Sequence, residues 1–207
     1  MVYKMSKEMA MVGALVVVCC SFVSGATAMM IGGDDTKSPS SPGPSSTGPA
    51  PPSGPPKGRY VKLVHTVAYD ANATGNDDDK NKILNLAELE VFDASGTNLA
   101  ASKPVTGSSQ YPAPHVWSNL TDGNKTNFAH TLGRTPTEYD SMTVDLGAEK
   151  EIKKLVITNR TDCCKDRAIG VKAVILAANG TTVVKETPAI TTTADTYTLI
   201  FPGNTWS

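Results

Sequence analysis

The sequence predicts an all-β fold, an antiparallel β-sandwich, preceded by an apolar N-terminal helix and a disordered linker. Three observations carry this prediction. First, short runs alternate apolar and polar residues with a period of two. Ala87, Leu89 and Val91 interleave with Glu88 and Glu90; Met142, Val144 and Leu146 with Thr143 and Asp145; Tyr197, Leu199 and Phe201 with Thr196 and Thr198. A strand with one face on a core and the other in water reads this way. Second, turn signals punctuate the runs at Asp93–Gly96, Asp122-Gly123-Asn124 and Asn179-Gly180. Third, nothing after Gly58 keeps a long helical period, and Lys154–Thr158 and Val171–Ala177 read as more fully buried strands. Roughly eight strands are expected in Gly58–Pro202, enough chain for one core.

The elements follow in order. The chain has 207 residues, and 19 Lys+Arg nearly cancel 20 Asp+Glu to a net charge of −1. That balance argues against a nucleic-acid partner held by a basic face, and against an acidic tail. Residues 1–33 form the first segment. Met9–Ile31 is mostly apolar and follows Lys4, Lys7 and Glu8. It reads either as a single-pass transmembrane anchor or as a cleaved secretory signal, with Ala26-Thr27-Ala28 as a cleavage site. Both readings leave Lys4 and Lys7 in the cytoplasm and translocate the rest, so the domain is expected on a lumenal, extracellular or virion-exterior side. Residues 34–57 form a stalk; from Ser38 to Pro56 all but Thr47 and Ala50 are Pro, Gly or Ser. Such a segment cannot bury a core and extends as polyproline II. Residues 58–202 form the folded domain, and 203–207 a tail.

Chemistry-bearing motifs are few. No Gly-x-Ser-x-Gly, His-Glu-x-x-His or phosphate loop occurs, and nothing activates a nucleophile or a water, so no enzyme is expected. Asp77-Asp78-Asp79-Lys80 lacks metal-loop spacing and reads as part of a solvated insertion, Asp70–Lys82. His65 and His115 have no partner at metal-ligand spacing and read as structural. Cys19 and Cys20 lie in the apolar run. Cys163 and Cys164 are adjacent in the translocated part, either as a vicinal disulfide or as free or intermolecular thiols. Five sequons begin at Asn72, Asn119, Asn124, Asn159 and Asn179, open to glycosylation in a secretory lumen; Asn159 is expected empty.

The stretch Arg160-Thr161-Asp162-Cys163-Cys164-Lys165-Asp166-Arg167 resembles the signature of the F-type lectins (fucolectins), members of the discoidin-like (F5/8 type C, galactose-binding-like) β-sandwich superfamily. Arg160, Asp162 and Arg167 match the family's Arg-x-Asp-x4-Arg/Lys pattern, and His130 matches its upstream His. Leu86–Val91, Asn98–Ala100 and Lys103–Thr106 look like the opening strands, Asn119–Asn124 like the calcium loop, and Val144–Gly147 like the strand that follows. The resemblance implies a galactose-binding-like jelly roll and a carbohydrate site of His130, Arg160, Asp162, Arg167, Cys163 and Cys164. It also implies a Cys163–Cys164 disulfide that is an apolar plate against the sugar ring. Arginine suits such a site because its planar fork is always charged and donates in fixed directions; Asp162 would hold the guanidinium groups in place.

The resemblance further implies a structural calcium held by the backbone carbonyls of Asn119 and Asn124 and the side chain of Asp122. The family's last calcium ligand, a Glu near the C-terminus, has no counterpart here. The interval between His130 and Arg160 exceeds the family's, which places an insertion in Gly133–Asp140; Phe128 and Tyr111 stand where aromatic residues would meet the sugar. The expected function is a membrane-tethered carbohydrate-binding module for attachment or surface recognition, its glycan fucose-like or another monosaccharide. The alternative is a structural virion or surface protein using the sandwich for contacts with other proteins. An anchor, a Gly33-Asp34-Asp35 juxtamembrane segment, a stalk and one discoidin-like domain also look like virion membrane proteins of large DNA viruses.

Overall fold

The structure, a computed structural model, describes residues 54–66, 83–132 and 139–207. The apolar N-terminal run, the stalk up to residue 53 and the acidic insertion lie outside the described residues, as does most of the Gly133–Asp140 insertion. Among the described residues no helix is long and apolar enough to cross a membrane.

Nine strands occur among the described residues: β1 (Lys57–His65), β2 (Asn85–Phe92), β3 (Val105–Gly107), β4 (Ala129–His130), β5 (Ser141–Glu151), β6 (Lys154–Asn159), β7 (Val171–Leu176), β8 (Val183–Glu186) and β9 (Thr196–Ile200). They form two sheets, one of five strands in the order β3-β5-β1-β7-β8 and one of four in the order β4-β2-β6-β9. Every strand pair is antiparallel. The helical turns among the described residues are two short 3-10 segments, Trp117–Leu120 and Lys165–Ala168.

The period-two runs explain how the sheets face each other. Ala87, Leu89 and Val91 of β2, Met142, Val144 and Leu146 of β5, and Tyr197 and Leu199 of β9 all enter one buried cluster, with Phe201 just beyond β9. Burying such side chains is the main favourable contribution to folding, about 25 cal/mol per Å² of apolar area. The turn glycines Gly96, Gly123 and Gly180 take positive φ, +82°, +81° and +72°, a region open to Gly and costly for most other residues.

Three local expectations differ from the structure, and one holds for a reason the sequence did not show. β6, expected as a more fully buried strand, instead alternates over its first half: Lys154 and Val156 are only half-buried while Leu155 and Ile157 fill the core. β7 is more fully buried, as expected, because Val174 and Leu176 meet Val64 and Tyr60 on the outer side of their sheet. Asn98–Ala100 is a turn and not an opening strand: Asn98 Oδ1 accepts from the backbone of Val91 and Ala100, giving the chain a local alternative to a ladder. Residues 203–207, read as a tail, fold back on the domain. Ser207 exchanges both backbone hydrogen bonds with Thr198 (2.9 and 2.8 Å), and Trp206 packs on the core and donates to the Pro188 carbonyl at 2.8 Å.

Strand register sets up one end of the four-stranded sheet. Asn85, the first residue of β2, pairs with His130, the last of β4. Leu86 pairs with Asn159, the last residue of β6. Arg160 therefore leaves its strand beside Asn85 and His130, and the chain from Arg160 to Gly170 forms a loop at that end.

Candidate functional site

Arg160 is almost fully buried, at 8% exposure, and is held on three sides. Its Nε and Nη2 donate to the two carboxylate oxygens of Asp162, both at 2.6 Å. Its guanidinium carbon lies 3.9 Å from the centre of the Phe128 ring. With the Asn85 amide oriented by its hydrogen-bonding neighbours, Oδ1 accepts from Nη1 of Arg160 at 3.2 Å and from Nη1 of Arg167 at 3.0 Å. One buried amide oxygen thus joins the two guanidinium groups. The fork of Arg160 keeps further N–H donors, since only three of its five N–H groups are used.

Asp162 is exposed, and the Arg160 fork holds its carboxyl well below the usual carboxylate range. It works as a bracket: a bidentate pair fixes both position and plane of the guanidinium. The disulfide between Cys163 and Cys164 cross-links the loop between Arg160 and Arg167. Cys164 has φ +57°, and the Lys165–Ala168 3-10 turn starts from it and carries Arg167. Lys165 forms an ion pair with Asp195 from the loop before β9. Asn159 secures the base of the loop, its Nδ2 donating to the carbonyls of Lys165 (2.8 Å) and Ala194 (3.1 Å).

His130 lies beside the arginines, with Nδ1 donating to the Thr131 carbonyl. A neutral ring with its proton on Nδ1 presents Nε2 as an acceptor. Burial pushes its pKa down to about 4, and the positive Arg167 and Arg160 push the same way. The site therefore offers fixed cationic donors and one neutral acceptor at ordinary pH. A sugar hydroxyl both donates and accepts, so this combination can engage it in both directions.

Aromatic rings border the acceptor. The Tyr111 ring centre lies 4.7 Å from that of His130, and Tyr111 is 40% exposed. His115 stacks on Phe128 at 4.1 Å, nearly parallel at 12°. Arg160 and His115 are both about 4 Å from the centre of one ring, so the Phe128 phenyl packs against both a guanidinium and an imidazole. Sequence reading set His115 aside as merely structural; the fold makes it part of the wall that fixes Phe128. It also missed Asn85, whose only signal was a polar residue opening an alternating strand.

The loop expected to hold calcium closes on hydrogen bonds of its own. Asp122 accepts from the Asn124 backbone and the Asn127 side chain, both at 2.8 Å. Asn124 Oδ1 accepts from the Thr126 backbone and hydroxyl. The Asn119 side chain donates to the carbonyls of Pro114 (2.7 Å) and Phe128 (2.9 Å), linking this loop to the arginine site. The loop covers Glu88, which points away from the core yet is 1% exposed. Both Glu88 oxygens face the Gly123 N–H at 3.2 Å. Burial pushes its pKa up to about 7, and Asp122 and Glu90 add to the rise. Asn127 Oδ1 is buried without a hydrogen-bond partner. Among the described residues no group of three or more His, Cys, Asp and Glu is placed to hold a metal. The oxygen-only donors of this loop nevertheless suit a hard cation, and the charge-starved Glu88 would gain from one.

The structure thus brings His130, Arg160, Asp162, Arg167, Cys163 and Cys164 to one end of the sandwich. Asn119, Asp122 and Asn124 lie in the adjoining loop. A hollow of about 550 Å³ lies elsewhere, on the outer face of the five-stranded sheet among Lys62, Val64, Lys172 and Val174, and holds none of these residues. No curated protein matches the chain. Residues 119–206 match the family described as the NedA-like, galactose-binding domain of F5/8 type C. The match begins at Asn119 and takes in His130 and the whole Arg160–Arg167 loop. Two antiparallel sheets around one core are consistent with that galactose-binding-like match, which covers the second half of the sandwich.

Proposed function

We propose that the domain is a carbohydrate-recognition module, displayed from a membrane by the N-terminal apolar segment and stalk and used in attachment or surface recognition. The observation that carries this reading is the convergence of two guanidinium groups on the Asn85 oxygen beside neutral His130. Two donors held by Asn85 and Asp162 cost little further ordering when a hydroxyl arrives, which favours affinity in a shallow site. The Tyr111 ring and the Cys163–Cys164 disulfide give apolar surfaces for the carbon face of a monosaccharide, fucose-like or otherwise. Nothing in the site activates a nucleophile, and binding is the whole activity.

With this goes a structural calcium in the Asn119–Asn124 loop, held by the carbonyls of Asn119 and Asn124 and the Asp122 side chain, with Glu88 as the added carboxylate. The ion would stiffen the loop that leads through Phe128 to His130 at the end of β4. A glycan array probed with the protein, with and without chelator, tests both parts. Binding to a defined monosaccharide terminus is expected, lost in Arg160→Ala and weakened by chelator. An array on which the protein and Arg160→Ala give the same signal overturns the sugar reading.

A protein-contact role is the second reading, favoured by Ile169, which is 42% exposed just past the arginine loop. An apolar side chain there suits a protein partner, such as another virion or surface protein, better than a sugar.

A further inference from the structure

The fold sorts the four sequons among the described residues into two kinds. At Asn119, both N–H groups of the side-chain amide are taken by the Pro114 and Phe128 carbonyls in a residue that is 8% exposed. At Asn159, 1% exposed, Nδ2 is enclosed by the Lys165 and Ala194 carbonyls and the Tyr197 hydroxyl. Attaching a sugar to either nitrogen removes a buried hydrogen bond and forces a polar group into packed surroundings, which costs more than one ordinary contact. Modification there opposes this fold.

Asn124 and Asn179 are the opposite case. Asn124 is exposed, and its hydrogen bonds use the backbone N–H and Oδ1 and leave Nδ2 to solvent. The Thr126 hydroxyl, third residue of the sequon, donates to Asn124 Oδ1 at 2.7 Å. Asn179 is exposed in the turn between β7 and β8. Its Oδ1 accepts from the backbone of Thr181 and Thr182, and Nδ2 gives one proton to the exposed Thr182 hydroxyl. A glycosylated amide keeps one N–H, so that bond survives modification. The turn follows the end of β7 far from Val171, hence away from the arginine loop. The Cys163–Cys164 disulfide belongs to an oxidising compartment, where N-glycosylation takes place.

We propose that Asn124 and Asn179 carry N-linked glycans and that Asn119 and Asn159 stay unmodified. In the reaction, Nδ2 attacks C1 of the first sugar of a lipid-linked pyrophosphate oligosaccharide. The C1–N bond forms, the C1–O bond to the pyrophosphate breaks, the lipid pyrophosphate leaves with the electron pair, and Nδ2 loses one proton. The proposal rests on lumenal placement of the domain but not on its binding of sugar.

The test is to express the full chain in a eukaryotic secretory cell with a reporter sequon fused at its C-terminus. The folded protein is then treated with peptide-N-glycosidase in 18O water, which leaves a labelled Asp at each occupied site. Peptide mass spectrometry should find the label at positions 124 and 179 and not at 119 or 159. Asn124→Gln and Asn179→Gln should each remove one gel-mobility step. Label at Asn119 or Asn159 in folded protein overturns the sorting. Bare Asn124 and Asn179 with an occupied reporter overturn the proposal at the sites themselves. A bare reporter overturns it through localisation, and glycan-array binding by the same protein separates that failure from failure of the lectin reading.

Discussion

Arg160 shows how much one residue depends on its partners. Its charge is buried, bracketed by Asp162, stacked on Phe128 and shared with Asn85. A charge-assisted hydrogen bond contributes roughly 1.5–3 kcal/mol, so on the proposed carbohydrate reading Arg160→Ala should weaken glycan binding about ten- to a hundredfold. Arg160→Lys does not restore it, because an ammonium can neither chelate Asp162 in two places nor lie flat on the ring. Titration calorimetry against the glycan found on the array measures both, and an active Lys variant would remove the argument from planarity. Asn85 is a positioning residue. Asn85→Asp keeps an acceptor between the guanidinium groups but adds a negative charge, which favours the imidazolium form of His130. The His130 titration followed by NMR should therefore move up from about 4. A merely structural Asn85 would leave that midpoint where it is.

At the scale of elements, the Arg160–Arg167 loop and the loop over Glu88 carry separate predictions. The first is cross-linked in its middle by Cys163–Cys164. Replacing both cysteines by serine releases backbone freedom between the two arginines and leaves the sheets untouched. Glycan affinity should fall while the urea midpoint barely changes; equal affinity in the double variant would make the disulfide irrelevant to the site. The second prediction concerns pH. Glu88 has its pKa raised from 4.5 to about 7, so the folded state binds a proton the unfolded chain lacks, and stability rises as pH falls through that window. His130 has its pKa lowered from 6.5 to about 4, so the unfolded chain binds the extra proton, and stability falls as pH drops from 6.5. The two slopes oppose each other between 4.5 and 6.5. In chelator, with the proposed calcium absent, Glu88→Gln should expose the His130 slope and lose stability on acidification across that window. His130→Gln should show the reverse. Parallel profiles for the two variants in urea titrations would contradict the assignment. Asp145 and Asp162, both lowered by arginine partners, lose their contribution only below the ordinary carboxylate range.

The whole domain is closed at its C-terminal edge by residues outside the expected boundary. Ser207 pairs with β9 and Trp206 is pinned to Pro188. Trp206→Ala should destabilise the domain by roughly 1–2 kcal/mol from lost apolar burial, read as a lower urea midpoint. An unchanged midpoint would show that the tail merely rests on the edge. If the chain is displayed from a membrane as proposed, Lys4 and Lys7 before the apolar run would face the sandwich outward. A membrane-impermeant amine reagent should label lysines of the domain on intact cells, and labelling only from the cytosolic side would reverse the topology.

Sequence by itself determined the sandwich. Alternation at Ala87–Val91, Met142–Leu146 and Thr196–Phe201 is a local consequence of strand geometry, and the turn glycines declare themselves by residue type. The Arg160–Arg167 spacing was equally plain, because those residues lie close together in the chain. Only the tertiary structure decided what lies between the charged groups. Asn85 is far from Arg160 in sequence and meets it through the β2–β6 register, and His115 joins the site by stacking on a ring contributed by another loop. Glu88 looked like an ordinary solvent-facing strand residue, and it became a buried carboxyl because the Asp122–Asn127 loop lies over it. Periodicity reports the face on which a side chain emerges, whereas burial, pKa and hydrogen-bond partner depend on which distant segment covers that face.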